Sequence, residues 1–357
     1  MGDKANQGGR FLLSAASLVI VIAGLRAAGS LILPILLAGF LAVLSSPLQR
    51  WFRRRGIGVA ISVLLTVLAV FAVLAVFTLM FSAAVAEAGA AAPQYIEQLQ
   101  ESARAARSDL QDSALAEYVS LEQVDPASLV EIITSTFGGL VRGTVVGVAT
   151  AFSWATLILL ATVFMLVEGT GFIDKLRLAT QGRGDVDLDQ FRQITRELQH
   201  YLGIKTIVSV GTGLTIFCLT WIVGLDFPLF WGLSAFLLNY IPTLGSIIAG
   251  VPATILAAIQ HGPGMAGFVA FGYLAVNVGL GSIVEPRLMG LRFRLSTLVV
   301  FLSLLFWGFI WGPLGMLLSV PLTRTLVIVV ENITDDHWLP VLLGRNPRPT
   351  DKTADSA

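Results

Sequence analysis

The chain has 357 residues, 55% of them hydrophobic and only 13% charged, with a mean hydropathy of +0.80. Water-soluble domains carry about 25% charged residues, so this much apolar surface cannot be hidden in a soluble core and calls for a lipid surround. Formal net charge is zero, which leaves no global field for nucleic acid, and one cysteine (Cys218) with three scattered histidines (His200, His261, His337) offers neither a disulfide nor a metal or haem ligand set.

After a short N-terminus, 1–10, apolar segments at 11–28 and 31–48 follow so closely that they predict a helical hairpin rather than a removable leader. A third span is expected at 58–86, so that 11–90 forms a scaffold of three transmembrane helices. Residues 91–141 read as two or three extracytoplasmic amphipathic helices, one opened by Asp125 and Pro126. The fourth span, within 142–167, begins on a Gly139, Gly143, Gly147 ridge suited to close helix packing. Residues 168–204 form a cytoplasmic helical segment in which Leu188, Phe191, Ile194, Leu198 and Tyr201 share one stripe.

The remainder divides into two units, 205–260 and 261–330, before a tail at 331–357. Each pairs a crossing helix, 205–224 or 265–284, with an apolar stretch of more than 30 residues, 227–260 or 295–330. One helix of that length would be about 50 Å long, too much for a core about 30 Å thick. Each stretch is also interrupted, the first at Asn239, Tyr240, Pro242, Gly245 and Ser246, the second at Gly308, Gly312, Pro313 and Gly315. Re-entrant helical hairpins explain both; pairs of full crossings are the competing expectation.

Lysine and arginine mark cytoplasmic loops. Arg50, Arg53, Arg54 and Arg55 follow the second span without an acid, whereas 88–141 holds Arg104 and Arg107 against eight acids. The basic loop is therefore placed inside and the acidic segment outside, with both termini cytoplasmic. Arg287, Arg292 and Arg294 also fall inside if the first hairpin enters from the outer face and the second from the cytoplasm. The fold class expected is thus all-α, a polytopic membrane protein with an inverted repeat of crossing helix plus re-entrant hairpin.

An internal match supports the repeat. GLDFPL at 224–229 returns as GLRFRL at 290–295, and LGSIIAGVP at 244–252 as LGMLLSVP at 314–321, pairing Gly245 with Gly315 and Pro252 with Pro321. A helix broken inside hydrocarbon frees backbone groups that cost several kcal/mol each unless protein, water or a solute satisfies them. Its exposed ends also carry partial charge that binds polar solutes or ions, which is the architecture of secondary transporters.

These considerations single out the residues of a solute or ion site. At the first break they are Asn239, Tyr240, Pro242, Thr243, Gly245 and Ser246, which either touch a solute or cap the broken helix. Trp307, Trp311, Gly312, Pro313 and Gly315 at the second form a stacking or gating surface, unless the tryptophans are interface anchors. Glu285, with Arg287, ends the crossing helix and Asn277 lies two turns deeper. Glu285 is the candidate for proton or sodium coupling, the other reading being an ion pair with Arg287 or another arginine. Pro252, Pro286, Gly290 and Pro321 are hinge candidates. No catalytic constellation, metal site or cofactor is expected, and no P-loop is present, so the energy source is a gradient or a partner.

NYIPTLGSIIAGVPA at 239–253, EPRLMG at 285–290, WGPLGMLLSVPLT at 311–323 and RRRGIG at 53–58 together resemble the autoinducer-2 exporter family, over about residues 10–335. The resemblance implies an all-helical exporter or ion-coupled carrier of a bacterial inner membrane, a homo-oligomer such as a pentamer, moving a small polar solute or an ion (sodium or proton) through the lipid bilayer. A secondary-active exporter by alternating access is the leading expectation. A sodium/proton antiporter, a channel-like pore and a non-transporting envelope scaffold are the alternatives.

Overall fold

The computed structural model describes residues 2–111, 154–169, 188–242, 244–289 and 296–333. Those residues form helices joined by short turns, with no strand among them. In chain order they are α1 (Gly2–Ala27), α2 (Gly29–Arg54) and α3 (Val59–Gln111), α4 (Trp154–Glu168), and α5 (Leu188–Val223), α6 (Pro228–Leu238), α7 (Leu244–His261) and α8 (Pro263–Val276). A π-helical segment, Asn277–Val284, then leads into α9 (Glu285–Met289), and α10 spans Thr297–Ile333. Six helices among the described residues are long and apolar enough to cross a bilayer.

Their outward faces explain why. Leu64, Leu68, Val73 and Leu79 on α3, Leu157, Leu160 and Phe164 on α4, and Phe268, Phe271 and Leu274 on α8 are all exposed. Exposed apolar surface of this extent has no place in water and is the lipid face of a multi-pass membrane protein.

Two expected boundaries are not breaks. The helix of the third span does not end near residue 86: α3 continues through Pro93 to Gln111. The run AAVAEAGAAA before Pro93 is rich in the best helix former, and Val85 and Ala88 are buried on one face of the continuation. Likewise α5 carries the amphipathic stripe and the crossing helix as one rod of 36 residues. The remainder of 91–141, the glycine ridge at 139–147 and most of 168–187 lie outside the described residues.

The chain forms two compact units. One comprises 1–67, 157–203 and 289–357, the other 68–156 and 204–288. The two sequence repeats do not coincide with them: the crossing helix of the second repeat belongs with the first hairpin, while the second hairpin belongs with α1, α2 and α4.

In the second unit Phe81, Val85, Ile216, Trp231, Ala253, Ala257, Val269 and Tyr273 form a continuous core. Small residues let helices approach backbone to backbone: a Cβ on Gly213 of α5 would lie 2.8 Å from the Gly232 carbonyl of α6. In the first unit Ala42, Val63 and Leu166 make one cluster. Tyr201, Leu202 and Val320, backed by Phe40, Val43 and Val300, make another.

Candidate functional site

The turn into the first hairpin is sharp. Gly224 has φ +74° and Phe227 φ +59°, after which Pro228 starts α6 with its φ already suited to the first helical position. At 11 residues, α6 is about 16 Å long and cannot cross a bilayer; α7, at 18 residues, is about 27 Å. The ends of the hairpin meet, since the Asp226 amide donates to Gln260 Oε1 at 3.2 Å. Gln260 Nε2 donates to the Tyr95 hydroxyl at 2.9 Å, and that hydroxyl donates to the Asp226 carboxylate. Partial burial, and then this contact with Asp226, raises the Tyr95 phenol above its usual value of 10.0.

At the tip the backbone satisfies itself. Asn239 N donates to Ala235 O (3.0 Å), Ile241 N to Leu238 O (2.9 Å), and Gly245 N to Ile241 O (3.2 Å), while Pro242 has no N–H to lose. Gly245 is required here, because any Cβ on it would collide with the Leu238 carbonyl. The tip side chains reach sideways to α5. Asn239 Nδ2 donates to Ser209 Oγ at 2.9 Å, and the Tyr240 hydroxyl to Thr206 Oγ1 at 2.8 Å. Ser209 and Val223 are 14 residues apart on α5, so the tip stands about 21 Å along that helix from the hairpin base.

One turn before Ser209, Lys205 Nζ lies 2.9 Å from both carboxylate oxygens of Glu285. Their side chains are 5% and 15% exposed. Among the described residues the partner of Glu285 is thus a lysine on α5 rather than Arg287 or another arginine; Arg287 and Pro286 are exposed on α9. The three donors of an ammonium suit a carboxylate reached from a neighbouring helix, which a residue two positions along the same short helix cannot face.

Behind the tip is a cavity of about 10 Å³, the room one water molecule needs. Its polar lining is Thr212, Asn239, Ser246, Tyr273 and Asn277. Three of these, Asn239, Ser246 and Asn277, were expected from sequence. Thr212 and Tyr273 were missed, although Thr206, Ser209 and Thr212 recur every three residues through an apolar helix and so signal a polar face. Asn277 is also where α8 widens into the π segment, a local geometry found mostly at functional sites. Pro252 is half-buried within α7, whereas Thr243 and Gly290 lie outside the described residues.

The second break, in the first unit, has a different character. Helix α10 is interrupted at Trp311 (φ −127°, ψ 15°) and Gly312 (φ 64°, ψ −146°), and Pro313 follows. Gly312 occupies a region essentially closed to other residues. A Cβ on Gly315 would strike the Trp307 carbonyl, the same crossing that Gly245 makes in the first hairpin. Trp307 and Trp311 stack with centroids 5.0 Å apart. Their indoles are held within the protein: Trp307 Nε1 donates to Thr323 Oγ1 at 3.0 Å, and Trp311 Nε1 to Leu25 O at 2.9 Å. Gly29, the first residue of α2, makes room for Trp311, whose Cδ1 would lie 3.0 Å from a Cβ there. At the other end of this hairpin Arg324 Nε pairs with Glu197 at 3.1 Å, and Pro321 is fully buried.

Residues 15–335 match the model of the AI-2E family transporter. The chain is 35% identical to the AI-2 transport protein TqsA of Escherichia coli (strain K12), over 92% of this chain and 93% of that one. It is 33% identical to YhhT of the same strain, a protein named for an expected transport role, over 94% and 95% of the two chains. A Haemophilus influenzae protein named in the same way is also 33% identical, covering 94% and 96%. An all-helical, lipid-facing chain with two glycine-broken hairpins, matched over nearly its full length by these proteins, belongs to the AI-2E transporter family and is a membrane transporter.

Proposed function

We propose that this protein is a secondary-active transporter, not an enzyme, of a bacterial inner membrane. It exports a small polar solute by alternating access, and both of its termini are cytoplasmic. The observation that carries the reading is the hydrogen-bonded clasp of Asn239 and Tyr240 on Ser209 and Thr206, set between a polar cavity and the Lys205–Glu285 pair. Hydroxyl-to-hydroxyl and amide-to-hydroxyl bonds exchange with water or solute at little net cost, so a tip held by them opens more readily than one held by apolar packing.

The first hairpin is then a re-entrant gate entering from the outer face and the second its inverted counterpart, with Gly245 and Gly315 as equivalent crossing points. Copies of the chain assemble as a homo-oligomer such as a pentamer. The relative named as an AI-2 transport protein makes that solute the first to test. Coupling to a proton or sodium gradient is a second reading, favoured by the buried carboxylate of Glu285 next to the clasp.

Purified protein in proteoliposomes decides between carrier and pore. Saturable uptake accelerated by solute on the opposite side is the expected result, whereas unsaturating flux with large current would sink the carrier reading. Dependence on an imposed sodium or proton gradient, lost in the stability-restored double variant Lys205→Met, Glu285→Leu while solute flux persists, would establish the coupled form.

A further inference from the structure

We propose that the cavity behind the first hairpin tip is a binding site for one water molecule, anchored by the hydroxyl of Tyr273. Tyr273 is 7% exposed, and its Oη is buried without a hydrogen-bond partner among the described residues. Such a group loses its hydration on folding and regains nothing, a penalty that native proteins almost always remove with a partner. The ring belongs to the packed core of the second unit and lies against Gly250, its Cδ1 3.2 Å from where a Cβ would stand there. Relief therefore has to come to the hydroxyl rather than the hydroxyl moving to find it.

The cavity that Tyr273 lines has the capacity for one water, about 10 Å³. Thr212, Ser246 and Asn277 line it as well, giving the two to four polar neighbours that a buried water requires. None of these side chains is ionised, so the site suits a neutral ligand atom that both donates and accepts. These residues come from α5, α7 and α8, so the water ties three helices together at the point where Asn277 opens the π segment. Its role is to hold the hairpin tip in the conformation seen here.

The proposal does not rest on the transport reading, and its test reads stability rather than flux. Thermal unfolding of the full chain in detergent is measured for wild type, Tyr273→Phe, Thr212→Val and the double variant. Both substitutions are close to isosteric and remove one oxygen each. Tyr273→Phe is expected to lower Tm by about 2–4 °C, and the double variant to lose less than the sum, because the two hydroxyls share one water and not a direct bond. A rise in Tm for Tyr273→Phe would mean that the hydroxyl is a dry orphan and would overturn the proposal, as would strictly additive losses. A sodium-dependent gain in wild-type Tm that Tyr273→Phe abolishes would also overturn it, in favour of a cation. High-resolution density within hydrogen-bond distance of Tyr273 Oη supports the water independently of any variant; clear absence of density there refutes it.

Discussion

Lys205 and Glu285 illustrate how a membrane interior treats charge. Each desolvated alone would cost several kcal/mol, and the two short contacts between them offset that cost. Removing one partner leaves the other buried and unpaired, so Lys205→Met or Glu285→Gln is expected to destabilise by about 3–5 kcal/mol, while Lys205→Met combined with Glu285→Leu recovers most of the loss. Denaturation in detergent measures this, and a loss in the double variant equal to the sum of the two single losses would show that the pair is not mutually dependent. Tyr95, beyond the apolar part of α3, makes a different prediction. Its raised pKa means that the folded protein keeps the phenol proton in a range where the unfolded chain has lost it. The stabilisation is therefore complete below pH 10 and falls as pH rises from there through the folded value. A tyrosinate absorbance titration of Tyr95→Phe should lack one late-ionising component that the wild type shows, and the same variant should flatten the alkaline decline in stability.

At the scale of elements, the hairpins share a backbone device and differ in what surrounds it. Gly245 and Gly315 each let the returning arm cross the carbonyl that ends the first arm. Alanine at either position is expected to cost about 1–3 kcal/mol or more by overpacking, with flux lost before secondary structure, as judged by circular dichroism alongside transport. Wild-type flux in Gly245→Ala would show that the crossing is not needed. The first tip is dressed with Asn239 and Tyr240, which bond to hydroxyls on α5, whereas the second is dressed with Trp307 and Trp311, whose N–H groups are taken by Thr323 and Leu25. The glycine pairing was legible in the sequence because backbone constraints leave a residue-type signature. The partners of the tips were not, because Ser209 is 30 residues from Asn239 and Leu25 is 286 from Trp311.

Across the whole molecule, apolar runs of span length, the Lys and Arg census and the repeated GLxFxL and LGxxx(x)xVP patterns carry the membrane class and the broken hairpins. These are one-dimensional properties: chain length against bilayer thickness, and the need of glycine or proline where a helix stops. The division into two compact units, with the second crossing helix beside the first hairpin, follows no sequence repeat. Nor does the sequence show that α3 runs unbroken past Pro93, that Glu285 faces a lysine on another helix, or that Thr212 and Tyr273 join Asn239, Ser246 and Asn277 around one cavity. Those outcomes depend on which helix faces are brought together, and in lipid that choice is made by close packing of small residues and by the satisfaction of polar groups rather than by hydrophobic burial. The amino-acid sequence by itself determined that this chain spans a membrane and where its helices break; only the tertiary structure decided which polar groups those breaks bring together, because partners far apart in the chain meet through packing geometry alone.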